Sequence, residues 1–163
     1  MRQDPLRGFG LVADSRARVL ILGSFPGQAS LQAGHYYAHP RNQFWPILSE
    51  ILELPLTELD FEARYSRLRE HRIALWDVLS ACHRSGSLDS RIRHPLANDF
   101  RVLTCRTPSL QKIIFNGKTA ARTARQFEEN GFQTQTVPST SPAYAAMPYA
   151  QKLQAWKAAF KES

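Results

Sequence analysis

Residues 18–48 read RVLILGSFPGQASLQAGHYYAHPRNQFWPIL, and this stretch decides the fold. The apolar run from Val19 to Leu22 is long enough for a buried strand, and Gly23 ends it. A loop rich in glycine, proline, histidine and tyrosine follows, and apolar residues recur at helical spacing from Phe44. Ordinary strand-to-helix loops run to roughly 2–6 residues. A longer loop at the carboxyl end of a strand therefore predicts a binding or catalytic site.

The rest of the chain alternates apolar runs of strand length with stretches of helical spacing. We predict strands over 18–22, 73–79, 112–115 and 133–137. We predict helices over 44–54, 59–71, 118–130 and 148–161, with a short helix capped by Asn98-Asp99, a polar lead-in over 1–17 and a polar loop over 82–98. This alternation indicates an α/β protein. We expect a single domain (1–163) with three layers, α/β/α, around a mostly parallel four-stranded sheet.

Composition and charge narrow the class of protein. Hydrophobic residues make up 43% and charged residues 21%, which is ordinary for a globular domain. No apolar run approaches the roughly 20 residues of a membrane span, so we expect a soluble, cytoplasmic protein. The 2 cysteines match no metal or redox spacing. The net charge of +7 is carried mostly by arginine, which suits a nucleic-acid partner.

Familiar catalytic motifs do not fit. Asn116-Gly117-Lys118-Thr119 resembles the end of a phosphate-binding loop, but Lys112 stands where that motif needs glycine. The serine of GSFPG is not the central residue of a nucleophile elbow. His35 and His39 are four residues apart, yet Pro40 argues against a helical metal pair. We expect no metal and no organic cofactor.

The segments GSFPG (23–27), YYAHPRNQFW (36–45) and PSTSPAY (138–144) occur in an order that resembles the uracil-DNA glycosylase superfamily. The similarity runs from about Val19 to Tyr144 and includes LWDV in the second strand and FNG after the third. The set is most similar to the hypoxanthine-DNA, or deoxyinosine, glycosylase branch. It is related to the mismatch-specific uracil-DNA glycosylases.

Departures from the uracil enzymes point the same way. The mismatch-specific enzymes carry a catalytic asparagine where this chain has Phe25, and a phenyl ring cannot orient a water. In the hypoxanthine branch the asparagine of the HPxN segment is catalytic, and here it is Asn42. Ser139 stands where classical uracil enzymes have the histidine of HPSP, which disfavours efficient uracil excision.

The resemblance implies a site that flips a base out of DNA and hydrolyses its N-glycosidic bond. We expect Asn42 to hold the attacking water under the sugar and Tyr37 to be the stacking aromatic. The expected substrate-binding residues are Gly23, Ser24, Phe25, Tyr37, His39 and Asp77, with backbone N–H groups of the first loop stabilising the departing base. The expected DNA contacts are Arg84, Arg91, Ser139 and Ser141.

Each residue also has a simpler interpretation. Asn42 can cap the helix that follows it. One of Tyr36 and Tyr37 is expected only to pack the loop. Asp77 can accept backbone hydrogen bonds instead of reading a base edge, and the same polar residues that suit phosphate also suit turns and solvated surfaces.

The sequence favours one function over two others. The favoured function is a monofunctional, monomeric glycosylase, associated with the nucleoid, that removes hypoxanthine from damaged DNA and leaves an abasic site. No lysine lies in the motif loops, so no lyase step is expected. The alternatives are a glycosylase for uracil or another deaminated base and a catalytically inactive DNA-binding domain.

Overall fold

A sheet of four parallel strands forms the centre of the protein. The computed structural model describes residues 4–161, so residues 1–3 of the predicted lead-in and residues 162–163 lie outside the described part. The strands are β1 Leu6–Arg7, β2 Val19–Gly23, β3 Ile73–Asp77, β4 Leu79–His83, β5 Arg93–Ala97, β6 Lys112–Asn116 and β7 Gln133–Val137. The α-helices are α1 Gln28–Ala33, α2 Phe44–Leu52, α3 Phe61–Glu70, α4 Val102–Arg106, α5 Lys118–Ala121, α6 Ala124–Glu129 and α7 Tyr149–Lys161.

The parallel strands lie in the order β3–β2–β6–β7. Val19 of β2 lies opposite Ile73 of β3 on one side and Lys112 of β6 on the other. β6 pairs in turn with β7. β2 is therefore an inner strand of the sheet. Its residues from Leu20 to Gly23 are all buried, and strands buried on both faces read as continuous apolar runs.

Alternate side chains of the strands build two cores, one on each face of the sheet. Ile21, Leu75 and Ile114 pack on one face with helices α2, α3 and α7. Leu20 and Leu22 pack on the other face with helices α4, α5 and α6. Helices cover both faces, and the predicted three-layer α/β/α architecture around a four-stranded parallel sheet is confirmed.

The chain leaves the two middle strands toward opposite faces of the sheet. From β2 it runs through α2 and α3 to β3, whereas from β6 it runs through α5 and α6 to β7. In open α/β sheets, ligands bind where the strand order reverses in this way, outside the carboxyl ends of the strands. Gly23, Asp77 and Asn116 end β2, β3 and β6, so they lie at that edge.

A second sheet, antiparallel and in the order β1–β4–β5, is absent from the sequence prediction. The strand predicted over 73–79 ends at Asp77, and the segment predicted as a polar loop over 82–98 contains β5. The first prediction was wrong because the apolar run continues to Leu79, although the chain passes from one sheet to the other between Asp77 and Leu79. The second was wrong for a different reason. All five residues of β5 are exposed, so no apolar alternation marks the strand, and its pairing with β4 is long-range.

Two helical predictions also need correction. The long loop after β2 contains α1, whose sequence QASLQA is rich in helix formers and which ends at Gly34 with φ 77°. The single helix predicted over 118–130 is two short helices, α5 and α6. Between them the Thr123 hydroxyl donates to the Ala120 carbonyl, and this kind of back-bonding bends a helix.

The remaining helix ends follow local hydrogen bonding. Asp60 caps α3 by accepting from the Ala63 N–H at 2.8 Å. The predicted cap Asn98-Asp99 is wrong for α4, which begins at Val102 and has Arg101 as its N-cap residue. The Asp99 carboxylate accepts from the Arg101 N–H at 3.0 Å. Helix α7, with 13 residues, is the longest helix described, and no helix within 4–161 has the length and apolar character needed to cross a membrane.

Candidate active site

A cavity of about 720 Å³ opens at the carboxyl edge of the parallel sheet. It is bordered by the loop after β2, the segment before α2, the ends of β3 and β6, and the loop after β7. The predicted site residues that border it are Gly23, Ser24, Phe25, Tyr37, His39, Asn42, Asp77, Ser139 and Ser141. Arg84 and Arg91 do not. The structure thus brings the three motif segments together around one space.

The loop after β2 is clamped by the segment between β4 and β5. Ser24 donates its hydroxyl hydrogen to the Asp89 carboxylate at 2.9 Å. Arg84 donates to the Pro26 carbonyl at 2.7 Å, and its guanidinium lies 5.3 Å from the centre of the Phe25 ring. Arg84, expected to contact DNA, is therefore engaged in holding this loop.

Asn42 lies at the cavity wall immediately before α2. Its side-chain oxygen accepts from the Phe44 N–H at 2.9 Å, two residues along the chain, which closes an Asx turn. Its own N–H donates to the His39 carbonyl at 2.9 Å. The interpretation of Asn42 as the N-cap is wrong in detail, because the N-cap residue of α2 is Gln43; the Asn42 side chain instead closes the turn that leads into the helix. This turn fixes the carboxamide against the cavity, and the oxygen keeps a second lone pair.

The adjacent tyrosines have different surroundings. Tyr36 is 2% exposed, donates to the Gly10 carbonyl at 2.9 Å and packs the loop into the core. Tyr37 borders the cavity and has φ 53°, a left-handed conformation that costs a side-chain-bearing residue about 1–3 kcal/mol. One face of its ring stacks on the Phe44 ring, with 4.1 Å between the ring centres. A base would therefore have to contact the other face or the edge of the Tyr37 ring.

Asp77 lies at the inner wall of the cavity and is 3% exposed. Its Oδ2 has no hydrogen-bond partner among the described residues. The simpler interpretation, in which the Asp77 carboxylate accepts backbone hydrogen bonds, therefore finds no support at Oδ2. The backbone carbonyl of Asp77 is bonded instead, to the side chain of Asn98 at 2.7 Å.

The protonation of Asp77 and Tyr37 is strongly shifted. Burial, reinforced by the negative charge of Asp89 and opposed by Arg84, raises the pKa of Asp77 to about 7. Burial and the nearby Asp77 charge also raise the pKa of Tyr37 far above its usual value. At neutral pH the cavity therefore contains a neutral phenol and a carboxyl group that is partly protonated.

The loop after β7 is tied to the end of β6 by a reciprocal pair of hydrogen bonds. Thr140, 1% exposed, donates its N–H to the Asn116 side-chain oxygen at 3.1 Å, and its hydroxyl accepts from the Asn116 amide at 3.0 Å. Ser139 and Ser141 accept hydrogen bonds from backbone N–H groups within the same loop. The turn-shaping interpretation of these serines therefore holds.

Lys152 of α7 holds the far part of this loop. It is 2% exposed, and its ammonium donates to the Tyr144 carbonyl at 2.6 Å while lying 5.1 Å from the centre of the Tyr144 ring. Tyr144 itself is 38% exposed at the cavity mouth. A buried cation on one helix thus fixes an exposed aromatic residue at the entrance.

The remaining predicted residues lie closer to the surface. His39 is half-buried, and its Nδ1 accepts from the Arg41 N–H at 3.0 Å. Arg91 is exposed. The motif loops contain no lysine, but Lys118, the first residue of α5, is exposed and borders the cavity.

Several residues of the site escaped sequence reasoning. Asp89, Asn116 and Thr140 border the cavity, and Lys152 supports its mouth. Asn116 carried a signal, because it ends a strand on the same edge as Gly23. The others carried none, since their roles depend on tertiary contacts that the sequence pattern does not show.

Comparison with known proteins agrees with this geometry. Residues 9–162 match the Uracil DNA glycosylase superfamily. Two relatives named Hypoxanthine DNA glycosylase, from Methanosarcina barkeri and Methanosarcina acetivorans, are 34% and 35% identical over 95% of this chain and 98% of theirs. A solution NMR structure from Methanosarcina acetivorans, described as a candidate uracil DNA glycosylase, superposes with a TM-score of 0.87 at 34% identity, covering 97% of this chain and 98% of that one. This chain belongs to the uracil DNA glycosylase superfamily and is a DNA glycosylase.

Proposed function

We propose that the protein hydrolyses the N-glycosidic bond of deoxyinosine in DNA, releasing hypoxanthine and leaving an abasic site. The observation that carries the proposal is the carboxamide of Asn42, fixed by its Asx turn against the cavity at the strand-order reversal. The names of the two Methanosarcina relatives support hypoxanthine as the base.

In the proposed reaction Asn42 positions a water molecule under the sugar. The glycosidic bond breaks through an oxocarbenium-like sugar, and the water adds to the anomeric carbon. A neutral amide is not a base strong enough to deprotonate that water in advance. Its contribution is to position the water, which in favourable cases lowers the activation free energy by about 7 kcal/mol or more.

The base is held by groups at the inner end of the cavity. Backbone N–H groups near Gly23, Ser24 and Phe25 are proposed to stabilise charge on the departing base. Tyr37 and His39 are proposed to contact the flipped base from the side of α2. Asp77, whose Oδ2 is unpaired among the described residues, is proposed to contact its polar edge.

The proposed DNA contacts lie around the cavity mouth. Lys118 is an exposed cation that borders the cavity, and Arg91 is exposed two residues after Asp89, which also borders it. Ser139 and Ser141 belong to the loop after β7. Contacts of this kind fix the position of the DNA without reading its sequence. The enzyme is proposed to act as a monomer and without a cofactor.

A cleavage assay with two variants of Asn42 tests the proposal. The substrates are labelled single- and double-stranded oligonucleotides carrying deoxyinosine or deoxyuridine, treated with alkali after incubation to break abasic sites. Asn42→Ala removes both the amide and the Asx-turn acceptor. Asn42→Ser removes the amide but keeps an oxygen that can accept from the Phe44 N–H and so preserve the turn before α2.

The two variants separate catalysis from formation of the turn. We expect the parent to generate breaks at deoxyinosine and both variants to lose them. Asn42→Ala should also lose roughly 0.5–2 kcal/mol of unfolding free energy, whereas Asn42→Ser should lose little. Full activity in Asn42→Ser would reduce Asn42 to a turn-forming residue, and breaks mainly at deoxyuridine would keep the enzyme class but overturn the substrate.

A further inference from the structure

Asp77 has properties that base contact alone does not require. Its carboxyl group is 3% exposed, it borders the cavity, and its Oδ2 has no hydrogen-bond partner among residues 4–161. A buried polar atom without a partner is costly, so it normally meets a ligand, a water or a proton acceptor in the working state. The structure therefore places at the cavity wall a buried carboxyl oxygen that no group of residues 4–161 satisfies.

The position of the carboxyl group is tightly defined. Asp77 lies opposite Gly23 in the β2–β3 pair. A Cβ atom at Gly23 would stand 2.5 Å from the Asp77 Oδ1 and 2.9 Å from the Tyr37 hydroxyl. The carboxyl and the phenol thus converge over a glycine that has no side chain to separate them.

Burial, together with the negative charge of Asp89, favours the protonated form of Asp77. Asp89, from the segment between β4 and β5, adds a second negative charge, while Arg84 from the same segment opposes it. Tyr36 and Tyr37 are the ionisable groups facing it from the segment before α2, and burial keeps both neutral. Burial is the largest influence, and the resulting pKa of about 7 leaves a proton available at neutral pH.

We propose that Asp77 is a catalytic acid that donates a proton to the departing purine. The inference rests on the proposed function and assigns a second catalytic group to the same cavity. A general acid of this kind contributes about 10²–10⁴-fold to the rate.

The proton balance is simple. The bond between the anomeric carbon and purine nitrogen N9 breaks, and its electron pair stays with the purine. The Asp77 carboxyl transfers its proton to ring nitrogen N7, so hypoxanthine leaves neutral and Asp77 is left as a carboxylate. The water at Asn42 adds to the sugar and releases one proton, and solvent returns one proton to Asp77.

This chemistry favours a purine over uracil. The imidazole part of a purine offers a basic nitrogen, whereas uracil offers only carbonyl oxygens, which are far weaker bases. The donor would therefore help hypoxanthine to leave and give little help to uracil. The absence of the HPSP histidine, with Ser139 in its place, is consistent with a site that no longer relies on stabilising a base anion.

Single-turnover kinetics across pH test the inference. The parent and Asp77→Asn would be compared on duplexes containing deoxyinosine or 7-deazadeoxyinosine, which lacks the N7 acceptor. Binding would be measured separately with a duplex containing a non-hydrolysable fluorinated arabino analogue of deoxyinosine. Asp99→Asn, a change at an exposed carboxylate outside the cavity, is the matched control.

We expect the parent rate on deoxyinosine to fall as the pH rises through about 7. Asp77→Asn should be slower by about 10²-fold and lose this pH dependence, yet bind the analogue within a few-fold of the parent. The parent should cut 7-deazadeoxyinosine slowly, and Asp99→Asn should behave as the parent does.

Three results would overturn the inference while leaving the proposed function intact. They are an unchanged pH profile in Asp77→Asn, parent activity on 7-deazadeoxyinosine equal to that on deoxyinosine, and analogue binding that falls in proportion to the rate. The last result would make Asp77 a base-reading residue only. If the parent releases no hypoxanthine at any pH, the proposed function itself fails, and the two failures are thereby distinguished.

Discussion

Asp77 and Gly23 face each other across the β2–β3 pair, and the carboxyl group of Asp77 occupies the space that a side chain at Gly23 would need. A Cβ atom there would lie 2.5 Å from the Asp77 Oδ1, a distance that real contacts do not show. The inner end of the cavity therefore requires glycine at the end of β2 as much as it requires the aspartate at the end of β3.

Gly23→Ala tests this relationship. The added methyl group would push Asp77 and the Tyr37 hydroxyl away from each other, and we expect a loss of about 10²-fold in excision rate. Overpacking of this kind also costs about 1–3 kcal/mol in unfolding free energy. Gly10→Ala is the control, since nothing lies within 4 Å of its added Cβ. Equal activity of the two variants would contradict the role given to this contact.

The stability of the protein should report the proton on Asp77. Its pKa is raised from the ordinary 3.8 to about 7, so the folded state binds a proton that the unfolded state has released between those values. The contribution of this proton to the free energy of unfolding is fully present below about pH 4 and is lost as the pH rises through about 7. The loss is at most about 4 kcal/mol. Asp77→Asn should lack this loss, and chemical denaturation at pH 4 to 8 would measure it. If the difference in unfolding free energy between parent and variant stays constant with pH, the pKa of Asp77 is not raised.

Asp89→Asn should move the pH profile of excision toward acid. The negative charge of Asp89 raises the pKa of Asp77, so its removal lowers that pKa, and the fall in rate should begin at lower pH. The asparagine oxygen can still accept from the Ser24 hydroxyl, which preserves the loop. Rates at a series of pH values would show the shift. A profile that moves toward alkali would contradict the assigned electrostatics.

We expect Lys152 to affect DNA binding through its contact with Tyr144 and not through a contribution to the general positive field of the protein. Lys152→Met leaves the Tyr144 carbonyl without its donor, at a cost of about 1–3 kcal/mol, and releases the loop at the cavity mouth. We expect DNA binding to weaken by about 10-fold, equivalent to about 1.4 kcal/mol. Lys157→Met removes the same charge from an exposed position of α7 and should change binding far less. Equal losses in a salt-titrated binding assay would reduce Lys152 to a contribution to the general positive field.

The sequence predicts the central sheet well because its strands are marked locally. The run Val19–Leu22 and the segment 133–137 coincide with β2 and β7 to within one residue. The motif loops follow the strand ends, and the cavity lies at the edge where the sequence placed it. Long apolar runs and turn residues are local signals, and local signals survive in a single sequence.

The contacts that hold the residues of the site in place cannot be predicted from the sequence in the same way. Thr140 and Asn116 are 24 residues apart, and their reciprocal bonds exist only once β6 and β7 are paired. The engagement of Arg84 with the Pro26 carbonyl spans 58 residues. The raised pKa of Asp77 depends on burial and on the charge of Asp89, which lies in the segment between β4 and β5. These properties arise from tertiary contacts that no periodicity or motif encodes.

The measurement that tests the central claim most directly is the identity of the released base. A duplex carrying one deoxyinosine and one deoxyuridine would be incubated with the parent enzyme, and the free bases would be quantified by mass spectrometry. The account predicts that free hypoxanthine appears ahead of uracil, and that Asn42→Ser releases neither. Release of uracil in preference to hypoxanthine would contradict it.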